Sequence, residues 1–259
     1  MIPETSQLLD FSNKTVIVTG ASQGIGAGIS ARFAEAGANV IVHYRGGKAG
    51  AEEVVKDIVS AGGKAQAVQA ELASEEGSAG LIDEAINIYG GLDVLVNNAG
   101  SFPMSSLLDM SLEDWQAMYS SNVESAMLCT KAAANCMKEK GSGSIVNIAS
   151  TSALNPGADH SHYNSAKAAV VMLTRSAAQE LGPHNIRVNC VSPGLVSRPG
   201  IRDQWPEGVE RWENKAPLGR MAEPDDVADA CLFFASPASR FITGQNLVLD
   251  GGILSSMIY

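Results

Sequence analysis

Seven strand-like runs punctuate this chain, at 14–19, 39–43, 64–69, 93–96, 144–148, 187–191 and 246–249. A helix-like stretch separates each from the next, at 25–36, 49–60, 75–89, 112–139, 163–181 and 225–235. Several runs, such as Val16-Ile17-Val18 and Val40-Ile41-Val42, are apolar at every position rather than at every second one. Strands of that kind are covered on both sides, the condition of a parallel sheet between two helix layers. The rhythm predicts an α/β protein: a doubly wound parallel sheet with helices on both faces. No internal repeat, low-complexity tract or linker interrupts it, so residues 1–259 are expected to form a single domain.

One segment breaks the rhythm. Residues 194–217 carry Pro199, Pro206 and Gly208 beside Trp205 and Trp212. They are expected to form a lid over the sheet edge, because long loops in compact domains often cover active sites.

Composition excludes several classes. A net charge of −10 gives no electrostatic support to nucleic-acid binding. The start of the chain lacks a basic stretch followed by an apolar core, and no run approaches the ~20 apolar residues that span a bilayer. Cys129, Cys136, Cys190 and Cys231 lack metal-ligand spacing and suit buried thiols in a reducing compartment. Neither nucleic acid, membrane nor metal is expected as a partner, and the expected location is cytoplasmic.

Two stretches carry chemistry. Thr19-Gly20-Ala21-Ser22-Gln23-Gly24-Ile25-Gly26 joins the first strand to the first helix. Glycines there allow positive φ and close approach, and the helix N-terminus offers free N–H groups to a phosphate. After the first strand of a doubly wound sheet, this is where dinucleotides bind. The second stretch places Tyr163 and Lys167 four residues apart on one helix, hence on one face. Bringing a tyrosine from its ordinary pKa of about 10 to neutrality needs roughly 4 kcal/mol of preference for the phenolate. A unit charge ~4.5 Å away at an effective dielectric of ~20 supplies close to that amount. The pair is therefore capable of general acid–base work.

In combination these motifs resemble the short-chain dehydrogenases/reductases over nearly the whole chain. The 19–26 segment is similar to that family's cofactor turn, Asn97-Asn98-Ala99-Gly100 to its element after the fourth strand, and Pro193-Gly194 to its turn beside the nicotinamide. Asn122, Ser150, Tyr163 and Lys167 fall where the family places its catalytic tetrad. The resemblance implies a Rossmann fold and an NAD(P)-dependent oxidoreductase that interconverts a carbonyl and a secondary alcohol. Tyr163 would pass the proton, and Lys167 would lower the tyrosine pKa and hold the nicotinamide ribose. Ser150 would hydrogen-bond the substrate oxygen, and Asn122 would hold a water relaying protons from Lys167. The implied cofactor contacts are Gly20, Ser22, Gln23, Gly24, Ile25, Gly26, Tyr44, Arg45, Glu71, Leu72, Asn98, Ala99, Gly100, Tyr163, Lys167, Pro193, Gly194 and Val196.

Cofactor choice turns on the end of the second strand, His43-Tyr44-Arg45-Gly46-Gly47-Lys48. It has no acid for a ribose 2′-hydroxyl but offers Arg45 and Lys48 to a 2′-phosphate, so NADP is preferred, with NAD also possible. Where many relatives have Thr five positions after the proline, this chain has Arg198, preceded by Ser197. Substrate candidates are Ser150, His160, His162, Arg198, Arg202 and Trp205. The arginines and histidines suit a polar or anionic carbonyl, although Arg198 and Arg202 can equally face water or pair with nearby acids. A 3-oxoacyl thioester and a sugar- or polyol-type carbonyl both remain open as substrates, and a non-catalytic dinucleotide-binding regulator is the alternative function. The family resemblance also implies a homotetramer, with 112–139 and the Tyr163 helix at one interface and the 251–259 tail at another.

Overall fold

The computed structural model describes residues 4–255. Its elements run β1 (Thr15–Val18), α1 (Gly24–Glu35), β2 (Asn39–Tyr44), α2 (Lys48–Ser60), β3 (Lys64–Gln69), α3 (Glu75–Tyr89), β4 (Val94–Asn97), α4 (Leu112–Tyr119), α5 (Ser125–Lys140), β5 (Gly143–Ile148), α6 (Ser161–Leu181), β6 (Ile186–Pro193), α7 (Ile201–Gln204), α8 (Pro206–Lys215), α9 (Pro224–Ala235) and β7 (Asn246–Leu249). The seven strands form one sheet in the order β3-β2-β1-β4-β5-β6-β7, and every neighbouring pair is parallel.

The strand period of two explains the all-apolar runs. Val16, Val18, Val40, Val42, Val94 and Val96 face one layer, packed by Ile29 and Phe33 of α1, Ile58 of α2 and Val227 and Phe234 of α9. The intervening Ile17, Ile41, Leu95, Ile145 and Val188 face the other layer, against Leu81 of α3, Cys129 and Met137 of α5 and Ala177 of α6. Each such side chain contributes about 1.5–3 kcal/mol by leaving water. Either face left polar would forfeit a helix layer.

After β3 at one edge, the chain crosses back to place β4 beside β1. Connections diverge on the two sides of that point, which opens a crevice at the C-terminal ends of β1 and β4.

Two stretches differ from the sequence expectation. The single helix expected over 112–139 is α4, a π-helical turn over Ser120–Glu124, and α5. Side chains that bond back to the preceding turn accompany the widening: Asn122 Nδ2 donates to the Met118 carbonyl at 3.1 Å and Ser125 Oγ to the Ser121 carbonyl at 2.8 Å. The 194–217 segment is not an open loop but carries α7 and α8, which share a small core of Ile201, Val209 and Met221 with Leu195 and Trp212. An Arg202–Glu213 ion pair at 2.7 Å ties α7 to α8. Of the 251–259 tail, Gly251 to Leu254 are half-buried, and Ser256, Met257, Ile258 and Tyr259 lie outside the described residues. Among the described residues no helix is long and apolar enough to cross a membrane.

Candidate active site

A cavity of about 680 Å³ opens at the C-terminal ends of β1, β2 and β3, reaching Gly100 and Ser101 beyond β4. Of the expected cofactor residues, Gly20, Ser22, Gln23, Tyr44, Arg45, Glu71, Leu72, Ala99 and Gly100 line it. The turn after β1 needs its glycines. Gly20 has φ +61°, and a Cβ there would stand 2.8 Å from the Ala99 Cα; a Cβ on Gly26 would stand 2.6 Å from the Gly20 carbonyl oxygen. The cap residue of α1, Gln23, makes no side-chain hydrogen bond to the helix, whereas Ser111 caps α4. The first N–H groups of α1 are thus open to an anion. These features fit a dinucleotide.

Asn98 sits differently from the others. Its Nδ2 donates to the carbonyls of Thr19 at 2.8 Å and Gly20 at 3.0 Å, so it braces the turn from the β4 side. Gly24, Ile25 and Gly26 form the first turn of α1. Arg45 is exposed on the cavity rim and its guanidinium has no partner among the described residues, while Lys48 pairs with Glu52 at 3.7 Å. Pro193, Gly194 and Val196 lie at the end of β6: Gly194 packs under the Trp212 ring, and Val196 bridges to Ala222 at the root of the lid.

The helix α6 carries Tyr163 and Lys167 on one face, as their spacing requires. The Tyr163 hydroxyl is hydrogen-bonded to Ser150, whose Oγ also accepts the Ser152 N–H at 3.1 Å. Lys167 is buried, donates to the Ile148 carbonyl at 2.9 Å and lies 5.6 Å from the centre of the Tyr163 ring. Asn122 is buried on the π-turn, its Nδ2 donating to the Ser101 carbonyl at 3.0 Å. Its Oδ1 is buried without a partner and faces Gly100, and Lys167 Nζ lies against the same glycine. The four residues expected at the reaction centre thus converge around the start of α6 and Gly100.

Their electrostatics differ from the expectation in one respect. Burial pushes the Tyr163 phenol above its ordinary value, and the Ser150 hydrogen bond opposes that only in part. Burial also brings the Lys167 ammonium down to about 8, with the neighbouring Cys190 pulling the other way. The ammonium stands over the tyrosine ring, and with these side chains alone burial still holds the phenol above its ordinary value.

Around Tyr163 the surroundings are aromatic. Phe102 and His160 meet its ring edge-on, with centroids 6.4 and 6.1 Å away. The His160 Nδ1–H donates to the Ala158 carbonyl at 2.6 Å, and the Ser105 N–H to the Asp159 carbonyl at 2.9 Å, joining the two loops that bear these rings. His162 is not on this wall: it is 1% exposed and points into the molecule. The two arginines are committed elsewhere, Arg202 in a bidentate pair with Glu213 and Arg198 to Gln204 Oε1 at 2.7 Å. Trp205 is half exposed at the junction of α7 and α8. Phe102, Met104 and Leu154 are exposed too, giving the open side of the site an apolar character. Sequence reasoning missed His43, which lines the cavity and accepts the Gly20 N–H. Its partner lies 23 residues away, and no local pattern carries that signal.

The comparisons with known proteins point to one family. A family model described as enoyl-(acyl carrier protein) reductase matches residues 20–254. An L-rhamnose 1-dehydrogenase (NAD(P)(+)) of Azotobacter vinelandii is 40% identical over 95% of this chain and 98% of its own. A crystal structure of a short-chain type dehydrogenase/reductase from Mycobacterium marinum is 38% identical, covers 98% of this chain and 100% of its own, and superposes with a TM-score of 0.90. A 7α-hydroxysteroid dehydrogenase complexed with NADH and 7-oxo glycochenodeoxycholic acid is 36% identical over 96% of this chain and 98% of its own, with a TM-score of 0.91. The chain belongs to the short-chain dehydrogenase/reductase family of oxidoreductases.

Proposed function

We propose that this protein interconverts a carbonyl and a secondary alcohol, with Tyr163 as the proton donor and acceptor. The observation that carries the reading is the convergence of the Tyr163 hydroxyl, Ser150 and Lys167 at the start of α6. In the reducing direction Tyr163 gives its proton to the substrate oxygen, and a phenol held protonated by burial is loaded for that step at neutral pH. Ser150 steadies the charge developing on the same oxygen. The Lys167 ammonium stabilises the phenolate left behind and holds the nicotinamide ribose. Asn122 Oδ1, buried and unpartnered, suits a water between Lys167 and solvent. The 19–26 turn, Tyr44, Arg45, Glu71, Leu72 and 98–100, with 193–196 on the nicotinamide side, would hold a dinucleotide, which would supply or take the hydride when bound. NADP is favoured over NAD because Arg45 stands unpaired on the cavity rim.

The substrate is a neutral carbonyl with an apolar flank, since Phe102, Met104 and Leu154 are exposed and both lid arginines already have partners. A homotetramer is the expected assembly, and Met127 of α5 and Met172 of α6 are exposed on the helices assigned to its interface.

The test is nicotinamide absorbance over time, with NADPH and NADH supplied separately, against apolar ketones, 3-oxoacyl thioesters and sugar-derived carbonyls. Turnover faster with NADPH and on uncharged apolar ketones is expected. Turnover with NADH alone contradicts the role of Arg45. Bound dinucleotide with no turnover on any class contradicts the catalytic reading and favours a regulator.

A further inference from the structure

His43 is the last but one residue of β2 and is 2% exposed. The Gly20 N–H donates to His43 Nδ1 at 3.0 Å, so that nitrogen carries no proton. Nε2 stands 3.2 Å from the Ala70 carbonyl, which can only accept, so the proton sits there. The His43 carbonyl accepts the Ala21 N–H at 2.8 Å. One residue therefore holds two successive N–H groups of the turn after β1 and ties that turn to the end of β3. Asn98 braces the opposite side of the same turn.

We propose that His43 is a positioning residue whose neutral imidazole sets the dinucleotide turn, and whose protonation releases Gly20 and weakens dinucleotide binding. This rests on the dinucleotide reading of the cavity. A proton on Nδ1 turns the acceptor into a donor facing a donor, and the Gly20 bond is lost. Gly20 is already at positive φ between Ala99 and His43, so a shift there moves the floor of the cavity.

The charged surroundings are few. The turn (19–26) and the end of β4 (97–100) bring no titratable side chain. Burial holds the ring below the usual histidine range and outweighs the Ala70 carbonyl and, from just beyond β3, Glu71, both of which favour the proton. Arg45, just beyond the end of β2, is exposed, as is Lys48, which pairs with Glu52. The folded pKa is depressed, so the bond is intact above the ordinary histidine pKa and lost as pH falls through the folded one.

The experiment compares the native protein with His43→Asn and His43→Gln. The Asn Oδ1 stands close to the position of Nδ1 and can accept the Gly20 N–H without titrating; Gln reaches toward Ala70 instead. The probe is NAD+, because the 2′-phosphate of NADP titrates near pH 6 itself. The native dissociation constant is expected to rise once pH falls below the ordinary histidine range, by up to about tenfold per unit below the folded His43 pKa. His43→Asn should stay flat over the same fall in pH, and His43→Gln should bind weakly throughout. Amide NMR without dinucleotide supplies the independent readout, in which the Gly20 resonance should titrate together with the His43 ring. A native-like pH dependence in His43→Asn, or a Gly20 amide that ignores His43, would overturn the proposal. A protein that binds no dinucleotide at any pH would contradict the proposed function on which the inference rests, and a Gly20 amide that still follows His43 would then uphold only the coupling between the two residues.

Discussion

At the scale of single residues, the spacing of Tyr163 and Lys167 was legible because helix geometry alone puts them on one face. Their proton affinities were not, because burial sets them: Ile148, Ser150 and Cys190, far apart in sequence, surround the pair. The consequence is measurable. Lys167 loses its proton near pH 8 in the free protein, and the proposed chemistry needs the ammonium. The kcat/KM for the dinucleotide in carbonyl reduction reports ionisations of the free enzyme, so it should hold steady from the ordinary histidine range up to pH 8 and fall about tenfold per unit above it. A kcat/KM flat to pH 10 would contradict the requirement for a charged Lys167. The arginines teach the complementary lesson. Arg198 and Arg202 read as substrate ligands by position, but partners six and eleven residues away claim them.

Secondary elements were legible where local pattern and tertiary burial agree, as in β1 and β2. They were obscured where an element depends on contacts made elsewhere. The lid helices α7 and α8 are short and broken by Pro206, and a cluster with Met221 holds them together. The π-turn depends on side-chain bonds that periodicity does not report. Arg187 on β6 is another element-scale device. Its guanidinium donates to the Phe234, Ala235 and Ser236 carbonyls and to Ser239 Oγ, closing the C-terminal end of α9 without an acidic partner. Arg187→Met would remove these four hydrogen bonds and leave the Ala235 carbonyl without its donor, while Ser144 and Ser239 still reach the Phe234 and Ser236 carbonyls. It should lower unfolding stability by about 2–3 kcal/mol, read from the denaturant midpoint, with kcat little changed. A loss below about 0.5 kcal/mol would show that water replaces the guanidinium without cost.

For the whole molecule, the order of strands decides where chemistry can happen. Because β4 returns beside β1, the β1 turn, the 97–100 segment and the end of β5 meet at one edge of the sheet, and α6 delivers Tyr163 to that meeting point. Strand alternation made this arrangement readable from the chain; the apolar wall and the bracing of the turn by His43 emerge only when distant strands are paired. The central claim is that Tyr163 moves the proton while the rest of the site binds and orients. Tyr163→Phe, which removes one oxygen and little packing, tests it most directly when single-turnover hydride transfer and dinucleotide affinity are measured on the same sample. A rate lowered by about 10²–10⁴ with dinucleotide affinity within about twofold of native is the expected result. Hydride transfer at a near-native rate would contradict the account.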